Sequence, residues 1–252
     1  MPISAAVAAG ALLDTWHYLA SAVPGGWARR NGAGVAAVTG VALPTLNGVW
    51  VERIDADPEG VSDLLDQVAA TGLPHCLQFR PAAAEGLAKL AAGRGMAYLE
   101  DIPLMAVEDL DQLKTTQATA GLAIRQLLPD EAPLHAHVAA AGFELPSEMF
   151  LQLMTPALLA APGVRCYLGE TDTQPVTTGL GVELGSYVAI FNIATPPEHR
   201  RHGYGAAVTA RAVADGFAAG ARWSWLQSSA DGFKVYERLG FRTVEAWPCW
   251  AK

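Results

Sequence analysis

The chain has 252 residues, 51% hydrophobic and 17% charged, with a net charge of −8. That composition is a packed globular protein, not a disordered chain, and the acidic balance argues against nucleic-acid or anionic-membrane partners. The length holds one large domain or two small ones. Residues 1–115 carry seven basic and thirteen acidic side chains, and residues 116–252 carry ten and twelve, so the second half repels anions less.

The three cysteines, Cys76, Cys166 and Cys249, are far apart, and no CxxC or Cys/His metal-ligand spacing is present. We expect buried thiols, no metal and a reducing cytoplasm. Residues 1–22 are apolar but lack a basic start, and Asp14 and His17 interrupt them, so they read as a surface helix and not a signal peptide. No apolar run reaches membrane-spanning length.

In chain order, periodicity predicts a helix over Ala5–Ala22, a glycine-rich loop, strands over Val35–Leu43 and Asn47–Arg53, and a helix over Gly60–Thr71. A strand over Leu73–Phe79, a helix over Ala82–Gly93 and one or two strands over Met96–Val107 follow. The polar stretch Asp109–Thr119 reads as a linker, which sets domains at 1–115 and 116–252. The second half predicts a strand at Leu122–Leu127, helices at Asp130–Ala141 and Glu148–Leu159, and strands at Val164–Gly169, Val176–Leu184 and Tyr187–Ile193. A glycine turn then leads into a helix over Ala206–Ala219, a strand over Arg222–Gln227, a helix over Gly232–Leu239 and a last strand over Phe241–Trp250.

The two halves repeat. At an offset of 145, Gly95, Glu100, Pro103 and Ala106 lie opposite Gly240, Glu245, Pro248 and Ala251, and Asn47 lies opposite Asn192. Both halves read strand, helix, strand, helix, strand. They differ at one place: where the second half has Glu198–Gly205, the first has the acidic Asp55–Gly60 with a single glycine.

The stretch His199-Arg200-Arg201-His202-Gly203-Tyr204-Gly205-Ala206 lies between a strand and a helix start. Backbone N–H groups freed in such a turn converge and can hold a phosphate or pyrophosphate. No Gly-Lys-Ser/Thr follows it, and Val208 stands where a dinucleotide fingerprint needs its third glycine. By itself the turn fits a bare loop as well as an anion site.

Arg200, Gly203 and Gly205 match the Arg/Gln-x-x-Gly-x-Gly/Ala pattern of motif A of the GCN5-related N-acetyltransferase (GNAT) family, and Val235–Phe241 resembles the end of its motif B. Two blocks in register, one helix and one strand apart, make the resemblance specific over about residues 120–252, with the first half similar to a degenerate tandem copy. It implies an α/β (α+β) fold, a mixed, partly antiparallel sheet flanked by helices in two tandem copies. It also implies acetyl-CoA as co-substrate, with transfer of the acetyl group to a primary amine, small-molecule or peptide, in a ternary complex.

On that resemblance, the backbone of Arg201, His202, Gly203, Tyr204, Gly205 and Ala206, with Arg200 beside them, holds the pyrophosphate. The strand carrying Ile193, Ala194 and Thr195 parts from its neighbour to pair with the pantetheine. Tyr236 is the candidate general acid for the leaving thiolate, against the plain alternative of a core tyrosine. Glu183, Glu144 and Glu148 are candidate bases. Ser229 bonds the pantetheine or caps the next helix. An acyl-CoA sensor without turnover, a different acyl donor and a homodimer stay open.

Overall fold

The computed structural model describes residues 2–114 and 121–252. In chain order its elements are α1 (Ala5–Ala22), β1 (Trp27–Arg30), β2 (Val35–Val38), β3 (Asn47–Val51), α2 (Pro58–Ala69), β4 (Cys76–Phe79), α3 (Ala84–Gly93), β5 (Ala97–Val107) and β6 (Ala123–Gln126). They continue with α4 (Ala132–Phe143), α5 (Ser147–Leu153), α6 (Pro156–Leu159), β7 (Val164–Thr171), β8 (Gln174–Leu184), β9 (Tyr187–Ala194), α7 (Tyr204–Ala218), β10 (Trp223–Gln227), α8 (Ala230–Leu239) and β11 (Arg242–Ala251).

The chain divides into two compact units, Ile3–Leu104 with Thr243–Lys252, and Met105–Arg242. The expected boundary at 115/116 lies outside the described residues. The last strand was expected in the second domain; it belongs to the first unit, because β11 pairs antiparallel with β4, Cys249 opposite Gln78 and Ala251 opposite Cys76.

The first unit orders its strands β1-β2-β3-β4-β11-β5. β1, β2 and β3 pair antiparallel, and β3 and β4 pair parallel. On one face Val49, Val51, Leu77 and Phe79 pack under α2 and α3, whose Val61, Leu64, Leu65 and Val68 recur at helical spacing and are all buried. Each such side chain contributes about 1.5–3 kcal/mol. On the other face Trp16 of α1 stacks on Trp50 at 4.5 Å.

Strand β1 is absent from the sequence reading, because Trp-Ala-Arg-Arg has no alternation to reveal it. The expected strand over 35–43 stops at Val38. Beyond it the fully buried Asn47 side chain takes the N–H groups of Thr39 and Gly40 and gives its own to the carbonyls of Val41, Leu43 and Pro74.

The second unit orders β10-β9-β8-β7-β6, with β9 and β10 parallel and the other pairs antiparallel. Helix α7 covers one face through Val208, Ala212 and Val213, and α4 lies on the other, where His135 meets Thr178 of β8. The single helix expected over 148–159 is two. Pro156 has no N–H to continue the ladder, and Thr155 caps the new start by accepting from Leu158.

Candidate active site

Parallel strands β9 and β10 stay in register from Tyr187 opposite Trp223 to Ile190 opposite Leu226, and the register ends there. The cause lies on β9. Its pairing with β8 jumps from Phe191 opposite Leu180 to Ala194 opposite Thr178, an extra residue on β9, and Asn192 takes a left-handed φ of 50°. Asparagine tolerates that conformation, and a bulged strand bends away from its partner. Asn192 and Ile193 are left without a register partner on either side. The strand end is pinned instead to β8, where Thr177 donates to the Ala194 carbonyl at 2.9 Å and meets the Thr195 hydroxyl at 3.0 Å.

The glycine turn follows. Residues Pro197–His199 form one tight helical turn, then Arg201 and Gly203 both adopt left-handed φ, 67° and 80°, and α7 starts at Tyr204. No side chain caps α7. Among the described residues no acceptor takes the N–H of Arg201, His202, Gly203, Tyr204, Gly205 or Ala206. Unpaired donors at the positive end of a helix can hold an anion. The His202 ring stacks on Tyr204 at 5.3 Å, and its Nδ1 lies 3.2 Å from the His199 carbonyl.

Arg200 departs from the expectation. Its guanidinium donates to the carbonyls of Thr195 at 3.2 Å and Gly142 at 2.8 Å, and pairs with Glu144 at 3.0 Å. It clamps the end of α4 to the end of β9, so its charge is committed to the protein and not to a phosphate. Gly142 makes this contact close: a Cβ there would lie 2.8 Å from the Ala194 Cβ and the Thr195 nitrogen. The α4–α5 corner, with Glu144 and Glu148, therefore stands directly beside the parted strand.

Glu183 is removed as a base. It lies opposite Val188 at the start of β9, six residues or roughly 20 Å from Ala194. Its carboxylate pairs with Arg165, which also reaches the Asp215 carbonyl near the far end of α7. Ser229 takes the second of its two readings: its hydroxyl accepts from Gly232 N–H at 3.2 Å and caps α8.

Tyr236 projects from α8 into the core cluster of the second unit, edge-on to Phe241 with ring centroids 6.1 Å apart. Its hydroxyl makes no hydrogen bond among the described residues. Burial pushes the phenol above its ordinary range, which keeps it protonated at neutral pH.

The sequence shows no suitably placed Cys–His pair, and tertiary packing brings Cys166 and His135 together. Cys166 Sγ lies 3.0 Å from His135 Nδ1, which is also 2.6 Å from the Thr178 hydroxyl. Both residues are buried. Burial pushes the thiol up and the imidazole down to about 3, so neither ionises and the pair is no nucleophile. Among the described residues no group of three or more His, Cys, Asp or Glu side chains could hold a metal ion.

The first unit repeats the same β-α-β-α-β order without the site. Its β3 and β4 pair from Gly48 opposite Cys76 to Val51 opposite Phe79, and Arg80 N–H extends the pairing to the Val51 carbonyl. Asp57 caps α2 by accepting from Glu59 and Gly60, and Pro58 has no N–H to offer. A carboxylate of the chain stands where an anion would. Arg80 forms a forked ion pair with Glu245 at 2.7–3.1 Å, both side chains at most 15% exposed. Arg80→Ala leaves Glu245 unpaired and should cost about 3 kcal/mol in urea unfolding, with part recovered when Glu245→Ala is added.

The family model of the acetyltransferase (GNAT) family matches residues 123–241. No curated protein sequence matches the chain. In fold the chain is similar to a GCN5-related N-acetyltransferase from Kribbella flavida, with 22% identity, TM-score 0.72, and all of this chain and 96% of that one covered. It is also similar to a tandem GNAT protein from the clavulanic acid biosynthesis pathway, with 16% identity, TM-score 0.58, and 100% and 97% covered. A GCN5-related N-acetyltransferase from Sphaerobacter thermophilus matches at 15% identity and TM-score 0.60, over 87% and 80% of the two chains. With its bulged strand, uncapped glycine turn and mixed sheet flanked by helices, the chain has the GNAT fold, and its residues 123–241 carry the match to the acetyltransferase (GNAT) family.

Proposed function

We propose that the second unit transfers an acetyl group from acetyl-CoA to a primary amine by direct attack in a ternary complex. One observation carries this reading: six unpaired N–H groups at the start of α7 adjoin a strand that has parted from its neighbour. The turn from Arg201 to Ala206 would hold the pyrophosphate, and the backbone at Asn192 and Ile193, which has no register partner, would hold the pantetheine in strand-like fashion. CoA supplies an activated thioester whose developing oxyanion a strand N–H can stabilise. Tyr236 gives the departing sulfur its proton. The amine enters beside the α4–α5 corner, where Glu144 and Glu148 line the approach, and loses its proton to one of them or to water.

A non-catalytic acyl-CoA sensor is the second reading. It is favoured by the state of the acid–base groups: Glu144 and Glu183 are ion-paired and His135 is sealed in the core. Calorimetry with acetyl-CoA, run beside a free-thiol release assay over an amine panel, separates the two. Thiol release that depends on both substrates supports transfer; binding with no release for any amine supports the sensor. Longer acyl-CoA donors in the same assay define the acyl chain.

The closed strands and self-capped helix of the first unit give a further expectation. Acetyl-CoA should bind with a stoichiometry of one per chain, and Gly203→Val should weaken that single phase without unmasking another. Two phases in calorimetry would contradict it. No helix among the described residues is long and apolar enough to cross a membrane, and all three cysteines are buried free thiols, in keeping with the cytoplasm.

A further inference from the structure

The first unit holds a cleft of about 610 Å³ that nothing in acyl transfer uses. It opens at the carboxyl ends of α2 and α3, the end of the unit away from Asp57. Ala69, Leu73, Pro74 and Met96 make its walls apolar, and His75, Arg94 and Lys252 bring polar groups to it. Its size is that of a small-ligand pocket.

The polar groups are specific in what they offer. His75 is 8% exposed, and its Nδ1 lies 2.9 Å from the Leu73 carbonyl. A carbonyl only accepts, so Nδ1 carries a proton, and in the neutral ring Nε2 is the acceptor. Among the described residues nothing donates to that Nε2. Lys252 is its directly opposed neighbour: His75 N–H donates to the Lys252 carbonyl at 2.9 Å, and Lys252 N–H returns the bond at 3.0 Å. Such a pair sends both side chains from the same face, with Cβ atoms about 5 Å apart. The Lys252 ammonium spends one donor on the Arg94 carbonyl at 2.9 Å, which leaves two. Arg94 itself is spent on Ser62 and Asp66, so its charge is neutralised within the protein.

The cleft therefore presents one acceptor, one cationic donor and an apolar floor with a thioether. A carboxylate would set lone pairs against Nε2 of the neutral ring, and an amine would set a second cation beside Lys252. A hydroxyl can donate to Nε2 and accept from Nζ at once, and an aromatic ring suits Leu73, Pro74 and the Met96 sulfur. We propose that this cleft binds a small phenol, its hydroxyl bridging His75 Nε2 and Lys252 Nζ.

The test titrates the full chain with phenol and 4-methylphenol, followed by thermal shift and by the His75 ring resonances in nitrogen-15 spectra. Toluene, anisole, benzoate and benzylamine are the comparison ligands. Saturable binding of the phenols is expected, with toluene and anisole about tenfold weaker for want of a hydroxyl donor. Lys252→Met should weaken phenol by about tenfold through loss of a charge-assisted bond. Ala69→Trp, at an exposed site on the cleft wall, should abolish binding while the melting transition stays cooperative. The proposal is overturned if phenol fails to saturate, if toluene or benzoate binds as tightly as phenol, or if Ala69→Trp leaves binding unchanged.

Discussion

Tyr236→Phe should lower kcat about hundredfold and leave the KM for acetyl-CoA almost unchanged, because in the proposed reaction only the proton donor to the leaving thiolate is lost. The ring stays in its place against Phe241 in the core cluster, and the missing hydroxyl had no partner to abandon among the described residues. The melting temperature should accordingly hold within a degree or two of the parent, which separates a chemical effect from a folding one. Burial raises the phenol above its usual range, so the group is fully protonated across neutral pH and the loss should not vary between pH 6 and 8. Steady-state kinetics with an accepted amine decides it. A loss of less than about threefold would assign Tyr236 to packing alone.

Gly203→Val should raise the Kd for acetyl-CoA at least tenfold. Gly203 sits at φ 80°, a conformation that costs a residue with a side chain about 1–2 kcal/mol and a β-branched one more. About 1.4 kcal/mol is tenfold in affinity. The chain relieves the strain by turning the peptide groups on either side, which scatters the donors from Arg201 to Ala206. Calorimetry reads the affinity, and circular dichroism reports whether α7 survives, as its packing through Val208 and Ala212 predicts. An affinity within threefold of the parent would remove the turn from the binding site.

The parts of this protein that follow local rules were legible in its residues. The glycine turn is local: Gly203 and Gly205 next to a strand end leave N–H groups unpaired whatever the rest of the chain does. The repeat is also local, since Gly95 and Gly240 both end helices with positive φ in the two halves. So is the difference between the halves at this turn, visible as the acidic Asp55–Gly60 with a single glycine and then seen as the Asp57 cap of α2. Hydrophobic period carried the rest of the element order, and it failed where period is silent, at the four residues of β1 and at the break before Pro156.

What depends on distant partners was not legible. Arg200 stands in the motif as a cation beside a phosphate turn, yet the carbonyls of Gly142 and Thr195 claim it, and Gly142 is 58 residues away. Glu183 lies on a strand that reaches the site, but register puts it at the other end beside Arg165. Cys166 and His135 meet only because β7 and α4 pack face to face, and the same packing that joins them denies them charge. The pairing of β11 with β4 joins residues more than 170 positions apart. The turn, most of the element order and the repeat could be read from the residues alone, because each rests on backbone preferences within a few residues. Which charges are free emerged from the packed structure, because ion pairing, burial and strand register are settled between segments far apart in the chain.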